Sequence, residues 1–219
     1  MKEKFDLILF DLDGTLTDSC EGIIKGVQYA LQKFGIEESD LDHLKKFIGP
    51  PLIDSFMKYY GVSKEEAIRL RNIYKEHYGP IGWKENRLYE GIAGVLEELK
   101  ADGKLLGVAT SKPKEATAKV LDYFELKKYF RVISAGSTDG MHCDKADIIR
   151  QAVAKLKEQG YKINSVVMVG DTKFDVEGAH ECGIPCVGVT WGFAEEGEFE
   201  TCNTEYVVNT MEELLEVLK

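Results

Sequence analysis

The stretch Phe5-Asp6-Leu7-Ile8-Leu9-Phe10-Asp11-Leu12-Asp13-Gly14-Thr15 decides the fold of this 219-residue chain. Its apolar first half predicts a short buried strand, and two aspartates follow directly. Residues i and i+2 of an extended backbone point the same way, so the Asp11 and Asp13 side chains converge. Two close carboxylates repel each other, which a bound cation or a shared proton best explains. Because ligands of open α/β sheets bind beyond the carboxyl ends of strands, we expect a site here.

Helix and strand patterns alternate from about residue 88 to the end of the sequence. Strand patterns cover residues 104–109, 130–134, 165–169, 185–189 and 206–208, and amphipathic helical patterns separate them. Such alternation predicts an α/β fold whose sheet is mostly parallel, with helices on both faces.

Residues 16–82 break this alternation. Helical patterns cover residues 21–34, 40–47, 52–60 and 64–78, with no strand pattern between them. We therefore expect two domains, a catalytic core of residues 1–15 and 83–219 and an inserted helical cap of residues 16–82. An insert at this point would stand over the aspartates as a lid.

Polar residues occur at or beside the ends of three further predicted strands. They are Thr110 and Ser111, Lys145, and the pair Asp171 and Asp175. Each alone is explained by a helix cap or a solvated charge, but a parallel sheet would place all of them at one edge with Asp11. The combination suits phosphoryl transfer, in which a carboxylate attacks phosphorus and a divalent cation relieves the charge repulsion. A lysine and a hydroxyl can hold the phosphoryl oxygens, and a second carboxylate can move the proton.

Composition restricts the choice of partner and compartment. The formal net charge is −10 with a pI of about 5.0, which argues against a nucleic-acid polymer or an anionic membrane surface as partner. No apolar run reaches the ~18 residues of a membrane span. The first residues lack the apolar region of a signal peptide, and five cysteines form no paired framework. We expect a cytoplasmic protein, whose oligomeric state the sequence leaves open.

Four motifs are now identified, and they are Asp11–Thr15, Thr110 with Ser111, Lys145, and Asp171 with Asp175. Together they resemble the haloacid-dehalogenase superfamily of phosphohydrolases, in its phosphoglycolate-phosphatase-like branch. The resemblance covers essentially the whole chain and implies a Rossmann-like three-layer core with a parallel sheet and a helical cap. It implies that Asp11 is the nucleophile and that Asp13 is the general acid and base. It further implies that Thr110, Ser111 and Lys145 bind the phosphoryl group. The implied Mg²⁺ ligands are Asp11, Asp13 through its backbone carbonyl, Asp171, and Asp175 as an orienting acid or alternative ligand.

The expected function is Mg²⁺-dependent hydrolysis of a small phosphorylated metabolite, a phosphoglycolate-like monoester, through an aspartyl-phosphate. A nucleoside 5′-monophosphatase is the alternative, because residues 137–145 resemble a branch described as 5′-nucleotidases. A β-phosphoglucomutase-like enzyme and a non-catalytic regulatory protein are weaker alternatives. Phosphoglycolate needs a second cation, for which Lys58, Arg69, Arg71 and Lys112 are candidates. A nucleotide needs an apolar slot, which residues 55–60 could line or else fill as core.

Overall fold

A computed structural model describes residues 5–138 and 144–219 of the protein. Its strands form two sheets. The strands are β1 (Leu7–Phe10), β2 (Thr17–Asp18), β3 (Arg87–Leu88), β4 (Leu105–Pro113), β5 (Val132–Gly136), β6 (Val166–Gly170), β7 (Cys186–Val189) and β8 (Tyr206–Val208). Six of them form one sheet in the order β5-β4-β1-β6-β7-β8. Every neighbouring pair in this sheet is parallel. The predicted parallel sheet is confirmed, and β1 lies at its centre.

The position of Thr110 differs from the sequence expectation. We expected its strand to end at residue 109, but β4 continues to Pro113. Thr110 pairs with Ala135 of β5, and the register shifts between Thr110 and Pro113. Thr110 therefore lies within the strand, and cross-strand pairing rather than local sequence extends β4.

Helices cover both faces of the sheet and fill the segment between β2 and β3. They are α1 (Cys20–Phe34), α2 (Leu41–Lys45), α3 (Leu52–Tyr60), α4 (Lys64–Tyr78), α5 (Ile92–Ala101), α6 (Lys114–Tyr123), α7 (Lys145–Glu158), α8 (Lys173–Glu181), α9 (Glu198–Thr201) and α10 (Met211–Leu218). Within the described ranges, none of them combines the length and the apolar character needed to cross a membrane.

The side chains of β1 alternate between the two faces of the sheet and divide the hydrophobic core into two layers. Ile8 and Phe10 pack with α5, α6 and α10 on one face of the sheet. Leu7 and Leu9 pack with α7 and α8 on the other face. Successive residues of a strand point to opposite faces, so one four-residue strand contributes to both cores. The Rossmann-like three-layer α/β fold is therefore confirmed.

Helices α1 to α4 share a hydrophobic core of their own. Val27, Leu44, Phe56 and Leu70 are fully buried in it, one from each helix. Contrary to the sequence expectation, the segment also contains a strand, because β2 pairs antiparallel with β3. Both strands have only two residues, too few for a hydrophobic period to be visible in the sequence.

Candidate active site

The predicted site residues converge at the carboxyl edge of the sheet. Asp11 and Asp13 follow β1, Lys145 begins α7, Asp171 follows β6, and Asp175 lies in the first turn of α8. The residues that are almost withdrawn from solvent are Asp11, Thr110, Lys145, Asp171 and Asp175. Their burial means that each charge must be balanced by a partner or a ligand.

Lys145 connects the acidic residues from three parts of the chain. Its Nζ lies 3.1 Å from Oδ1 of Asp11 and 2.7 Å from Oδ1 of Asp175. It also donates a hydrogen bond of 3.2 Å to the carbonyl oxygen of Ala109. Burial lowers the pKa of Lys145, but the two carboxylates raise it to a value above its ordinary one. Lys145 is therefore a permanent ammonium beside Asp11.

Asp175 uses both carboxylate oxygens to hold its neighbours. Oδ1 pairs with Lys145, and Oδ2 accepts hydrogen bonds from the backbone N–H of Asp171 and Thr172, at 3.2 and 3.1 Å, and from the Thr172 hydroxyl, at 3.2 Å. The sequence pattern predicts a helix over residues 176–181, but these bonds start α8 three residues earlier, at Lys173. The helix start escaped prediction because its cap depends on this reach back by Asp175.

Asp171 is fixed by residues that the sequence analysis did not assign. Oδ1 accepts a hydrogen bond of 3.0 Å from the Thr15 hydroxyl, and Oδ2 accepts one of 2.9 Å from the backbone N–H of Phe193. Gly14 has a φ of 83°, and a Cβ there would lie 2.0 Å from Oδ2 of Asp171. Gly14 therefore combines a left-handed backbone with close approach of the loop after β1 to Asp171.

Crowding of these carboxylates raises two pKa values. Burial raises the pKa of Asp11 to about 6, although Lys145 opposes this, and repulsion from Asp175 adds to it. Burial raises the pKa of Asp171 well above its ordinary value, with repulsion from Asp175 and Asp11 adding to the effect. One lysine does not compensate three buried acids, so the site is suited to a further cation.

The acidic residues fit a magnesium ion. Asp11, Asp171 and Asp175 each offer an oxygen, and these atoms lie within 4.8 Å of one another. An all-oxygen set with few carboxylates is the kind that Mg²⁺ prefers, because it keeps some of its waters. Asp175 is the most heavily engaged of the three, because its Oδ2 accepts three hydrogen bonds and its Oδ1 pairs with Lys145. Each oxygen of Asp171, in contrast, accepts one hydrogen bond.

Asp13 has a different set of contacts. Its two carboxylate oxygens accept hydrogen bonds of 2.9 and 2.8 Å from Nζ of Lys112. The same Nζ donates a hydrogen bond of 2.6 Å to the hydroxyl of Tyr78 on α4. Lys112 is buried, although lysine side chains are usually exposed to solvent. The Asp13 side chain is thus joined to the helical segment and not to the acidic cluster.

A cavity of about 290 Å³ lies between the site and the helical segment. Asp11, Asp13, Thr110 and Ser111 line one part of it. The lining also includes the apolar and aromatic residues Ile23, Phe47, Leu52, Tyr74, Tyr78 and Trp83.

The aromatic residues of 55–60 are absent from the residues that line this cavity. Phe56 is buried in the helical core, and Met57 is exposed. Of the stretch 137–145 that resembles 5′-nucleotidases, residues 139–143 lie outside the described part of the chain.

Residues 8–189 match the family model described as haloacid dehalogenase-like hydrolase. The chain belongs to this family. A crystal structure of a predicted phosphatase from Clostridium acetobutylicum has a TM-score of 0.92 and is 42% identical, with 98% of each chain covered. The site geometry and the phosphatase relatives identify this member of the haloacid dehalogenase-like hydrolases as a phosphoric monoester hydrolase.

Curated relatives of this hydrolase have names that differ in activity. A 5′-nucleotidase of Pseudomonas aeruginosa is 38% identical over 99% of the chain and 96% of its own length. The tyrosine-protein kinase PtkA of Mycobacterium tuberculosis is 36% identical over 99% of the chain and 73% of its own length. A phosphoglycolate phosphatase of Aquifex aeolicus is 31% identical over 86% of each protein. The similarity to these relatives therefore does not single out one substrate.

Proposed function

We propose that this hydrolase is a Mg²⁺-dependent phosphatase that cleaves a small, phosphoglycolate-like phosphomonoester through an aspartyl-phosphate on Asp11. The observation that carries the proposal is the contact of one buried lysine, Lys145, with both Asp11 and Asp175, beside the Asp171 carboxylate. This arrangement provides a carboxylate nucleophile, a cation for phosphoryl oxygens and a metal-binding acid within one small volume.

In the first step, a carboxylate oxygen of Asp11 attacks phosphorus and the bond from phosphorus to the ester oxygen breaks. Asp13, as a carboxylic acid, gives its proton to that leaving oxygen. Lys145, Thr110 and Ser111 hold the phosphoryl oxygens. Mg²⁺, held by Asp11, Asp171 and the Asp13 backbone carbonyl, would neutralise phosphoryl charge so that an anionic nucleophile can approach.

In the second step, Asp13 is a carboxylate and takes a proton from a water molecule. The water oxygen bonds to phosphorus, the bond from Asp11 to phosphorus breaks, and inorganic phosphate leaves. In this proposal Asp175 positions Lys145 and Asp171 and does not bind the metal, because its Oδ2 already accepts three hydrogen bonds and its Oδ1 is paired with Lys145.

We also propose that residues 16–82 act as a cap over the core of residues 1–15 and 83–219. The separate hydrophobic core of α1 to α4 and its walls on the cavity support this division. A closed cap would exclude all water except the molecule that hydrolyses the aspartyl-phosphate, and it would leave room for a small metabolite. We further expect the enzyme to work in the cytoplasm, since Cys20, Cys182, Cys186 and Cys202 are free thiols.

A nucleoside 5′-monophosphate is the second candidate substrate. The 5′-nucleotidase of P. aeruginosa and the aromatic wall of the cavity, with Phe47, Tyr74 and Trp83, favour it. Base stacking on such a wall would supply binding energy away from the phosphate.

The deciding experiment measures kcat/KM for phosphoglycolate, four nucleoside 5′-monophosphates and a generic aryl phosphate, with Mg²⁺ and after chelation. We expect turnover that chelation removes and Mg²⁺ restores, with phosphoglycolate preferred. Full turnover without a metal would contradict the metal role. A ~100-fold preference for nucleotides, about 2.7 kcal/mol of transition-state binding, would reverse the order of the two substrates.

A further inference from the structure

One stripe of α4 faces the cavity. Arg71, Tyr74, Lys75 and Tyr78 follow the spacing i, i+3, i+4 and i+7, which places them on one side of a helix. All four line the cavity that also contains Asp11 and Asp13. The stripe thus presents two cations to the space above the nucleophile.

The cations around this cavity differ in how far they are already paired. Lys75 donates to the carbonyl oxygen of Thr138 at 3.1 Å. Lys112 is bound to Asp13 and to Tyr78. Lys119 donates to the carbonyl oxygen of Gly79 at 3.2 Å. Each of these ammonium groups therefore has an acceptor within the protein.

Arg71 is different. Its Nε and Nη1 are buried and have no hydrogen-bond partner among the described residues. Its Nη2 donates to Oδ1 of Asn72 at 2.9 Å on the exposed side. Burying N–H groups of a guanidinium without an acceptor is unfavourable, and native proteins seldom do so unless a ligand completes the arrangement.

We propose that Arg71, on α4, binds a second anionic group of the substrate in the cavity whose lining it shares with Asp11. The acceptor is an oxyanion, either a carboxylate or a second phosphoryl group, whose planar or tetrahedral oxygens the guanidinium matches by several N–H donors. The inference rests on the proposed function, because it assumes that the phosphoryl group lies at Asp11. It makes Arg71 a specificity residue, which favours small phosphomonoesters that carry a second anionic group over those that carry none.

The test compares phosphoglycolate with its neutral amide, which has the same shape without the carboxylate charge, and with inorganic pyrophosphate. The variants are Arg71→Gln and Arg71→Lys. Arg69→Gln is the matched control, because Arg69 is on the same helix but exposed, with its guanidinium 5.6 Å from the Phe34 ring. Thermal melts of all variants check the fold.

We expect wild type to prefer phosphoglycolate or pyrophosphate over the amide by ~100-fold in kcat/KM. Arg71→Gln should lower kcat/KM on the preferred anion by ~30-fold or more, mainly through KM, and change the amide by less than ~3-fold. Arg71→Lys should recover part of the loss, and Arg69→Gln should have no effect. A preference for phosphoglycolate would identify the anion as a carboxylate, and a preference for pyrophosphate would identify it as a phosphoryl group.

Equal losses on phosphoglycolate and on its amide in Arg71→Gln, or no preference in wild type, would overturn the inference while leaving the phosphatase activity established. If no ester is hydrolysed, the proposed function fails instead. Calorimetry of phosphoglycolate and pyrophosphate binding to Asp11→Asn, with and without Arg71→Gln, then tests the anion site separately. Equal affinities in the two proteins would refute it.

Discussion

Lys112 holds Asp13 by a double hydrogen bond, with Nζ 2.9 and 2.8 Å from the two carboxylate oxygens. Both side chains are nearly withdrawn from solvent. The pair joins the proposed acid and base to Tyr78 of α4, whose hydroxyl also contacts Lys112. Burial lowers the pKa of Lys112, but Asp13 and Tyr78 raise it above the ordinary lysine value. A single buried cation thus couples the catalytic loop to the proposed cap.

Lys112→Met should lower the free energy of unfolding by about 3 kcal/mol, because it leaves a buried carboxylate without its cation. Tyr78→Phe is the matched control, since it removes only one hydrogen bond and should cost about 1 kcal/mol. Urea unfolding measures both. We also expect Lys112→Met to reduce kcat by ~10-fold or more, through loss of the orientation of Asp13. Equal unfolding free energies in the two variants would contradict the importance of the ion pair.

Asp11→Asn should abolish turnover yet stabilise the metal-free protein at neutral pH. The pKa of Asp11 is raised from 3.8 to about 6. The stability that this carboxyl group contributes to the folded protein is therefore fully present below pH 3.8 and is lost as the pH rises through about 6. Metal-free wild type should therefore lose about 1.5 kcal/mol relative to Asp11→Asn between about pH 5 and about pH 8. Chemical unfolding at several pH values in chelator measures this difference. A difference that does not change with pH would show that Asp11 is not perturbed.

Thr15→Val should raise the Mg²⁺ concentration that gives half-maximal activity by ~10-fold. The reason is that the Thr15 hydroxyl orients Asp171, 3.0 Å away. Thr17→Val is the control, because the Thr17 hydroxyl is also buried but donates, among the residues that the structure describes, to the carbonyl oxygen of Leu12. Magnesium titrations of activity compare the two. The same shift in both variants would assign the effect to packing of the loop.

Two glycine-to-alanine changes should alter the free energy of unfolding in opposite directions. A Cβ on Gly22 of α1 would lie 2.0 Å from the carbonyl oxygen of Gly82, so Gly22→Ala should destabilise by about 1–3 kcal/mol. A Cβ on Gly94 of α5 meets nothing within 4 Å, and Gly94→Ala should stabilise by about 0.5–1 kcal/mol. Thermal and urea unfolding measure both. A stabilising Gly22→Ala would mean that α1 can move away from this junction.

The sequence by itself determined the layered fold and the positions of the charged residues along it. Hydrophobic period located the sheet strands and nearly all helices, because layers of an α/β core impose that period on each element. Parallel pairing then predicted Asp11, Lys145 and Asp171 at one edge. In the structure Lys145 lies 3.1 Å from Asp11, whose carboxylate is within 4.8 Å of that of Asp171.

Only the tertiary structure decided how these residues divide their contacts. The two oxygens of Asp175, the pair of Lys112 with Asp13 and the unpaired donors of Arg71 depend on loops and helices far apart in the chain. Lys112 and Asp13, for example, are separated by 99 positions. Local sequence records that a lysine is present but not which carboxylate it meets, because burial and partner choice arise when the core and the helical segment pack together.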